Sequence, residues 1–339
     1  MDKKDFFGIE LCERFVRDNN LPIPVLNDRD KFFYYVNLYE DSLGTKTLYE
    51  DMCDEIVNDF NGDANLFLTH YYQVRDNMIN GILNCPKYKD FLDADMKAFG
   101  ICDKLKNTLR GNVYNSDNIG KYFLSIDLHK ANFQALKFFD ETLVQNTNSY
   151  DDYVKHYTKS EYIRNSKYTR QVVFGNCNPS RQITIEKHLV SLFYENFEYS
   201  DDILKLVRFN NDEIVFEIID DISEQLLMNG ICKTIRNAVW KSGVYVTYSV
   251  YKLEAMCLHS EKKNEDRKLN FVLYDLIQEK YKFKDVPQTY YAITHKLFNN
   301  IPLQKEDYYF RYEGLDAYID DTFTLKYFKD KKEIQDGKM

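Results

Sequence analysis

Apolar residues recur at helical spacing through the first third of the chain, in Leu48-Tyr49-Glu50-Asp51-Met52-Cys53-Asp54-Glu55-Ile56-Val57 and again from Leu66 through Ile82. That period predicts a mostly helical region over residues 1 to about 115. A turn cluster, Ser116-Asp117-Asn118-Ile119-Gly120, closes it, and the pattern then changes. Tyr122 to Asp127 reads as a short buried strand ending on an acid, followed by a helix over Ala131–Leu143 with Phe133, Leu136, Phe139 and Leu143 on one face. A second helical stretch covers roughly 151–173. Gly175 breaks it, and Asn178-Pro179 supplies the cap and first-turn signal for a further helix from Ser180 to Phe197.

Two alternating runs come next, Ile203–Phe209 and Glu213–Ile218. Asn210-Asn211 between them is a good tight turn, because Asn tolerates positive φ and bonds its own backbone. Asp220–Met228 predicts a helix stopped by Asn229-Gly230, and Val244–Leu253 a Val- and Tyr-rich strand. After a polar loop at His259–Lys268, a strand at Phe271–Ile277, a helix near Thr289–Phe298 and a strand at Tyr308–Tyr312 complete an α+β tail.

Without the helical insert at about 145–200, the order from 121 to 253 is strand, helix, strand, hairpin, strand, helix, strand. This is the split βαβ arrangement, an α+β fold with an antiparallel sheet and helices on one face. Three regions are expected: helical 1–115, the sheet domain 116–255 with its insert, and an α+β region 256–339. In such a sheet the first and third strands lie side by side and antiparallel. The end of the first, Asp127, therefore meets the start of the third, Asp212-Glu213, across 85 positions of sequence.

Composition narrows the partners. The 44% hydrophobic and 29% charged content is that of a folded protein. Seven dispersed cysteines form no CxxC, which points to reduced thiols and away from a zinc site. With no run long enough to span a bilayer and no signal-like opening, the expectation is a soluble, cytoplasmic protein with no membrane partner. A net charge of −9 argues against indiscriminate nucleic-acid binding, but the charge is segregated. Val154–Val190 is net +5, and Ser200–Gly230 is net −6. A basic block followed by an acidic one is what a site handling both phosphates and metal ions needs.

Two carboxylates brought together repel, and a bound cation or a raised pKa resolves the conflict. All-oxygen ligands suit Mg²⁺ or Mn²⁺ at Asp127 and Asp212. An ordinary hairpin tip and an ordinary strand-end cap are the competing explanations of the same residues. In the basic block, Lys167 and Arg170 are candidate phosphate ligands or solvated charges, and Arg181 follows Pro179 where free backbone N–H groups favour an anion. Phe174 is a candidate base-stacking ring or core residue. Tyr318-Ile319-Asp320-Asp321 resembles the YxDD of reverse transcriptases, but no sheet pattern precedes it. It is set aside as coincidence.

Three patches in order carry a more specific resemblance. Asn211-Asp212-Glu213-Ile214-Val215-Phe216-Glu217-Ile218 resembles the third signature of family A DNA polymerases, and Asp127-Leu128-His129-Lys130-Ala131-Asn132-Phe133 resembles the first. Arg170-Gln171-Val172-Val173-Phe174-Gly175 is similar to the fingers-helix signature. The resemblance implies a reduced polymerase palm with a fingers-like insert. It further implies catalytic Asp127, Asp212 and Glu213, with metal on the two aspartates. Nucleotide contacts are implied at Lys167, Arg170, Phe174, Gly175, Asn132 and Arg181. Asn211 replaces a His, Asn132 an acid that excludes ribonucleotides, and Arg170 a Lys. The expected function is a template-directed nucleotidyltransferase acting on nucleoside triphosphates with primer–template DNA or RNA. The alternatives are an inactive module binding nucleic acid or a replication partner, and a non-templated terminal nucleotidyltransferase.

Overall fold

The N-terminal third folds as helices α1 (Ile9–Asp18), α2 (Arg29–Leu38), α3 (Glu40–Leu43), α4 (Thr45–Asp59), α5 (Ala64–Leu83), α6 (Pro86–Asp93) and α7 (Asp103–Lys106) in a computed structural model that describes residues 6–108, 111–219 and 224–336. Asp28 and Asp63 cap α2 and α5 by accepting two backbone N–H groups each, which satisfies donors that a helix start leaves free. Phe15, Phe32, Tyr49 and Phe67 form an aromatic core between these helices.

The sheet domain follows the predicted order. Strand β1 (Tyr122–Leu128) leads into α8 (Ala131–Phe139), and a helical insert of α9 (Tyr150–Lys155), α10 (Glu161–Asn165), α11 (Lys167–Gly175) and α12 (Pro179–Glu195) precedes β2 (Leu204–Phe209) and β3 (Glu213–Ile218). Helix α13 (Glu224–Ser242) and the long strand β4 (Val246–Ser260) complete the unit. β1 pairs antiparallel with β3 on one side and with β4 on the other, so the strand order is β2-β3-β1-β4. Alternation along β1 divides its residues between two cores. Leu124, Ile126 and Leu128 pack with Leu136 of α8, Ile185 and Leu189 of α12 and Ile235 of α13. Phe123 on the opposite face packs with Val215, Tyr251, Leu253 and Val113.

Several boundaries differ from those expected. The stretch predicted as one helix over 151–173 is three short helices, because Ser160 and Ser166 each cap a new start. The helix expected to stop at Asn229-Gly230 runs on to Ser242. Ile231, Ile235 and Ala238 supply a buried helical stripe that outweighs the about 1 kcal/mol cost of an exposed glycine. Residues 220–223 of that expected helix lie outside the described residues. β4 continues unbroken through the boundary expected at 255 and into the polar run at His259, and β5 (Glu265–Asp266) returns against it. Beyond it β6 (Asn270–Asp275) and β7 (Lys280–Lys284) extend the sheet. Helix α14 (Gln288–Phe298) and the hairpin β8 (Tyr309–Tyr312)–β9 (Leu315–Tyr318) follow, then β10 (Phe323–Phe328) and α15 (Lys331–Asp336). The tail is not a separate unit. β10 pairs with the far half of β4, and Lys296 and Tyr34 both bind the buried Asp307, joining α14 to α2. Among the described residues no helix is long and apolar enough to cross a membrane.

Candidate active site at the end of the central strands

The antiparallel register places Asp127 directly opposite Glu213, and the Leu128 N–H donates to the Asp212 carbonyl at 2.8 Å. Facing residues of such a pair have Cβ atoms about 4.5–5.5 Å apart, so Asp127 and Glu213 share one face at the strand end, with Asp212 beside them in the turn. Glu213 is partly satisfied: Ser125 Oγ donates to it at 2.7 Å, and Arg208 Nε lies 3.8 Å away. Among the described residues, Asp127 and Asp212 have no hydrogen-bond or ion-pair partner for their carboxylates.

The electrostatic consequence falls on Asp127. Loss of water around the carboxyl, then repulsion from Asp212 and Glu213, pushes its pKa up to about 7, against the pull of Lys167 and Arg170. The residue as a whole remains exposed, so solvent screening softens that shift. A fourth carboxyl belongs to the cluster. Glu186 on α12 is 3% exposed, accepts from Asn132 Nδ2 at 2.8 Å, and is raised to about 7 by burial and by repulsion from Asp212 and, more weakly, Asp127.

The basic residues fare unequally. Lys167 and Arg170 on α11 both act on Asp127. The Arg170 guanidinium lies 5.7 Å from the Tyr150 ring centroid, and burial lowers its pKa. Arg181 does not face the acids. Its guanidinium donates to the Phe91 carbonyl at 2.7 Å and to the Ala94 carbonyl, and so ties α12 to the end of α6. Phe174 is fully buried against Tyr150 and presents no face for a base to stack on. Gly175 ends α11 in the open, and apart from its chain neighbours and the adjacent backbone of its own helix no heavy atom lies within 4 Å of where a Cβ would stand. Asn132 lies in the site, bound to Glu186.

Three participants were not expected from the sequence: Glu186, Tyr150 and Lys130. Lys130 adopts φ 53° between β1 and α8, its ammonium 5.0 Å from the same Tyr150 ring that carries Arg170. Glu186 could have been found, since Gln182, Ile185, Glu186, Leu189, Val190 and Phe193 form one buried helical stripe.

Among the described residues no group of three or more His, Cys, Asp or Glu side chains stands ready to enclose a metal ion. The all-oxygen donors and the upward pressure on Asp127 nevertheless fit a hard divalent cation, which ordinarily takes one or two carboxylates and fills its shell with water and phosphate oxygens. Comparison of the chain with protein-family models, with curated proteins and with solved structures returns no match.

Proposed function

We propose that the chain is a nucleotidyltransferase, a template-directed, DNA polymerase-like enzyme acting on nucleoside triphosphates at a primer end. One observation supports this reading: Asp127 and Asp212 converge with no carboxylate partner among the described residues, within reach of the positive charges of Lys167 and Arg170. Asp127 and Asp212 would hold Mg²⁺ or Mn²⁺, which when bound supplies Lewis-acid stabilisation of phosphoryl charge and a more acidic hydroxyl.

The side chains account for the rest. Arg170 is held against Tyr150, so its guanidinium is oriented before substrate arrives and loses little freedom on contacting a phosphate. Lys167, exposed on the same helix, adds a mobile second charge. Glu213 is held by the Ser125 hydroxyl, which donates to it, and stands directly opposite Asp127. Glu186, buried and raised toward neutrality, orients the Asn132 amide and can take up or release a proton near pH 7.

The test is incubation with labelled deoxynucleoside or nucleoside triphosphates, Mg²⁺ or Mn²⁺, and a primer–template. Template-dependent extension is the expected result. Extension of the primer without template identifies the non-templated transferase. Absence of incorporation under every combination, with the primer–template still bound, overturns the enzyme and leaves the binding module.

A further inference from the structure

A cavity of about 910 Å³ opens two residues beyond Asp127, lined on one side by α8 and on another by Ser242–Tyr245, the approach to β4. The α8 contribution is one helical face, Lys130, Phe133, Gln134, Lys137 and Phe138, spaced at three- and four-residue intervals. Its two ends differ. At the β1 end stand His129 and Lys130, with Arg170 behind them on the shared Tyr150 ring. At the far end Asp140 is already committed to the Thr142 N–H at 2.9 Å, and Glu141 faces water. Between them lie the aromatic walls, with Phe138 46% and Tyr245 62% exposed. Tyr150, 1% exposed, also lines the cavity, and its buried hydroxyl has no hydrogen-bond partner among the described residues.

We propose that this cavity is the nucleotide site: Lys130 and Lys137 bind the polyphosphate, and the wall around Phe138 and Tyr245 takes the base. The inference rests on the nucleotidyltransferase assignment for its setting; it adds Lys130 and Lys137 to the phosphate contacts proposed for Lys167 and Arg170 and leaves out Arg181, which the fold uses elsewhere. The chemistry matches an amphipathic ligand with an anionic end and a flat aromatic one. Cavities of about 300–1,000 Å³ ordinarily hold molecules of nucleotide size. Gln134, which would otherwise reach into the space, is fastened to the His129 and Tyr245 carbonyls at 2.5 and 2.7 Å and to the Tyr245 N–H at 2.9 Å. These bonds hold the two walls of the cavity at a fixed separation.

The test uses the full chain in EDTA, where binding needs neither metal nor turnover. Calorimetric titration compares ATP, dATP and inorganic tripolyphosphate on wild type, on Lys130→Asn with Lys137→Ala, and on Phe138→Ala. Asn is chosen at 130 because it tolerates the positive φ there. The paired lysine substitution should weaken all three ligands by about tenfold or more. Phe138→Ala should weaken ATP and dATP several-fold and leave tripolyphosphate unchanged. Equal binding by wild type and the lysine variant, at an unchanged melting temperature, overturns the site, as does absence of binding to wild type. Failure of the enzyme assay with Lys130-dependent ATP binding intact removes the nucleotidyltransferase assignment and leaves this site standing. Primer extension with an unchanged KM in the lysine variant does the reverse.

Discussion

At Asp320-Asp321 both carboxylates are committed within the fold. Asp321 accepts from Ser260 Oγ at 2.6 Å and from the backbone N–H groups of Lys262 and Thr322, and Asp320 pairs with Lys262 at 2.6 Å. Hydrogen bonds to the charged form accordingly hold the Asp321 carboxyl below its ordinary range. At the end of β1 the same residue type is treated oppositely. Asp127 is crowded by two acids, receives no donor from the described residues, and is pushed up to about 7. An acid pair in a sequence is thus not informative by its letters. What separates a structural pair from a candidate site is whether the fold supplies donors, and at Asp127 and Asp212 the described residues supply none to the carboxylates.

The widest separation between the two pairs should appear in activity. Asp127→Asn or Asp212→Asn is expected to abolish nucleotide incorporation with the melting temperature unchanged or raised, because each removes repulsion as well as a candidate ligand. Asp321→Asn should leave incorporation intact and lower the melting temperature modestly. Primer extension and thermal melts on the three variants check both halves, and activity within a few-fold of wild type in the first two would place the chemistry elsewhere.

A smaller effect distinguishes the bases near the acids from those away from them. Arg170→Ala should lower kcat/KM for nucleotide by about tenfold or more, since a charge-assisted contact is worth about 1.5–3 kcal/mol. Arg164, which pairs with Asp151 at 2.8 Å, is the neighbouring control and should change kcat/KM little when replaced by Ala. Equal losses in both variants would reduce the basic helix to a solvated face.

Arg181→Ala tests stability instead of kinetics. Losing its bonds to the Phe91 and Ala94 carbonyls should cost about 1–3 kcal/mol in chemical denaturation, with KM for nucleotide unaltered. A raised KM at unchanged stability would return Arg181 to the site.

The smallest expected signal is in pH. A carboxyl whose folded pKa lies above its unfolded value of about 4 makes the fold bind more protons than the unfolded chain between pH 4 and 7, so stability falls as pH rises through that window. Glu186 titrates in the same direction and the same window. Melting temperatures of wild type should therefore fall relative to Asp127→Asn between pH 5 and 8, and relative to Glu186→Gln likewise. Parallel curves for all three proteins would show that the carboxyls are not strained together.

Much of this was legible in the sequence because local signals and pairing logic agreed. The Asn-Asn turn sets the β2–β3 hairpin, and the split βαβ order alone brings Asp127 beside Asp212 and Glu213. Long-range identity was harder to read. Phe174 and Arg181 have the residue types of a nucleotide site, yet burial against Tyr150 takes the first and backbone carbonyls of a distant helix take the second. Neither partner is signalled by nearby sequence. Glu186 is a different case: its place on an apolar helical stripe marks it as buried, but nothing local pairs it with Asn132. Tyr150 and Lys130 come together only through the packing of α9 beside α8.

Manganese binding followed by electron paramagnetic resonance tests most directly the proposal that Asp127 and Asp212 hold a divalent cation. Wild type at pH 8 should bind Mn²⁺ more tightly in the presence of a nucleoside triphosphate, and Asp127→Asn and Asp212→Asn should each lose that binding while Asp321→Asn keeps it. The same Mn²⁺ affinity in all four proteins would contradict a metal-dependent site at the end of β1.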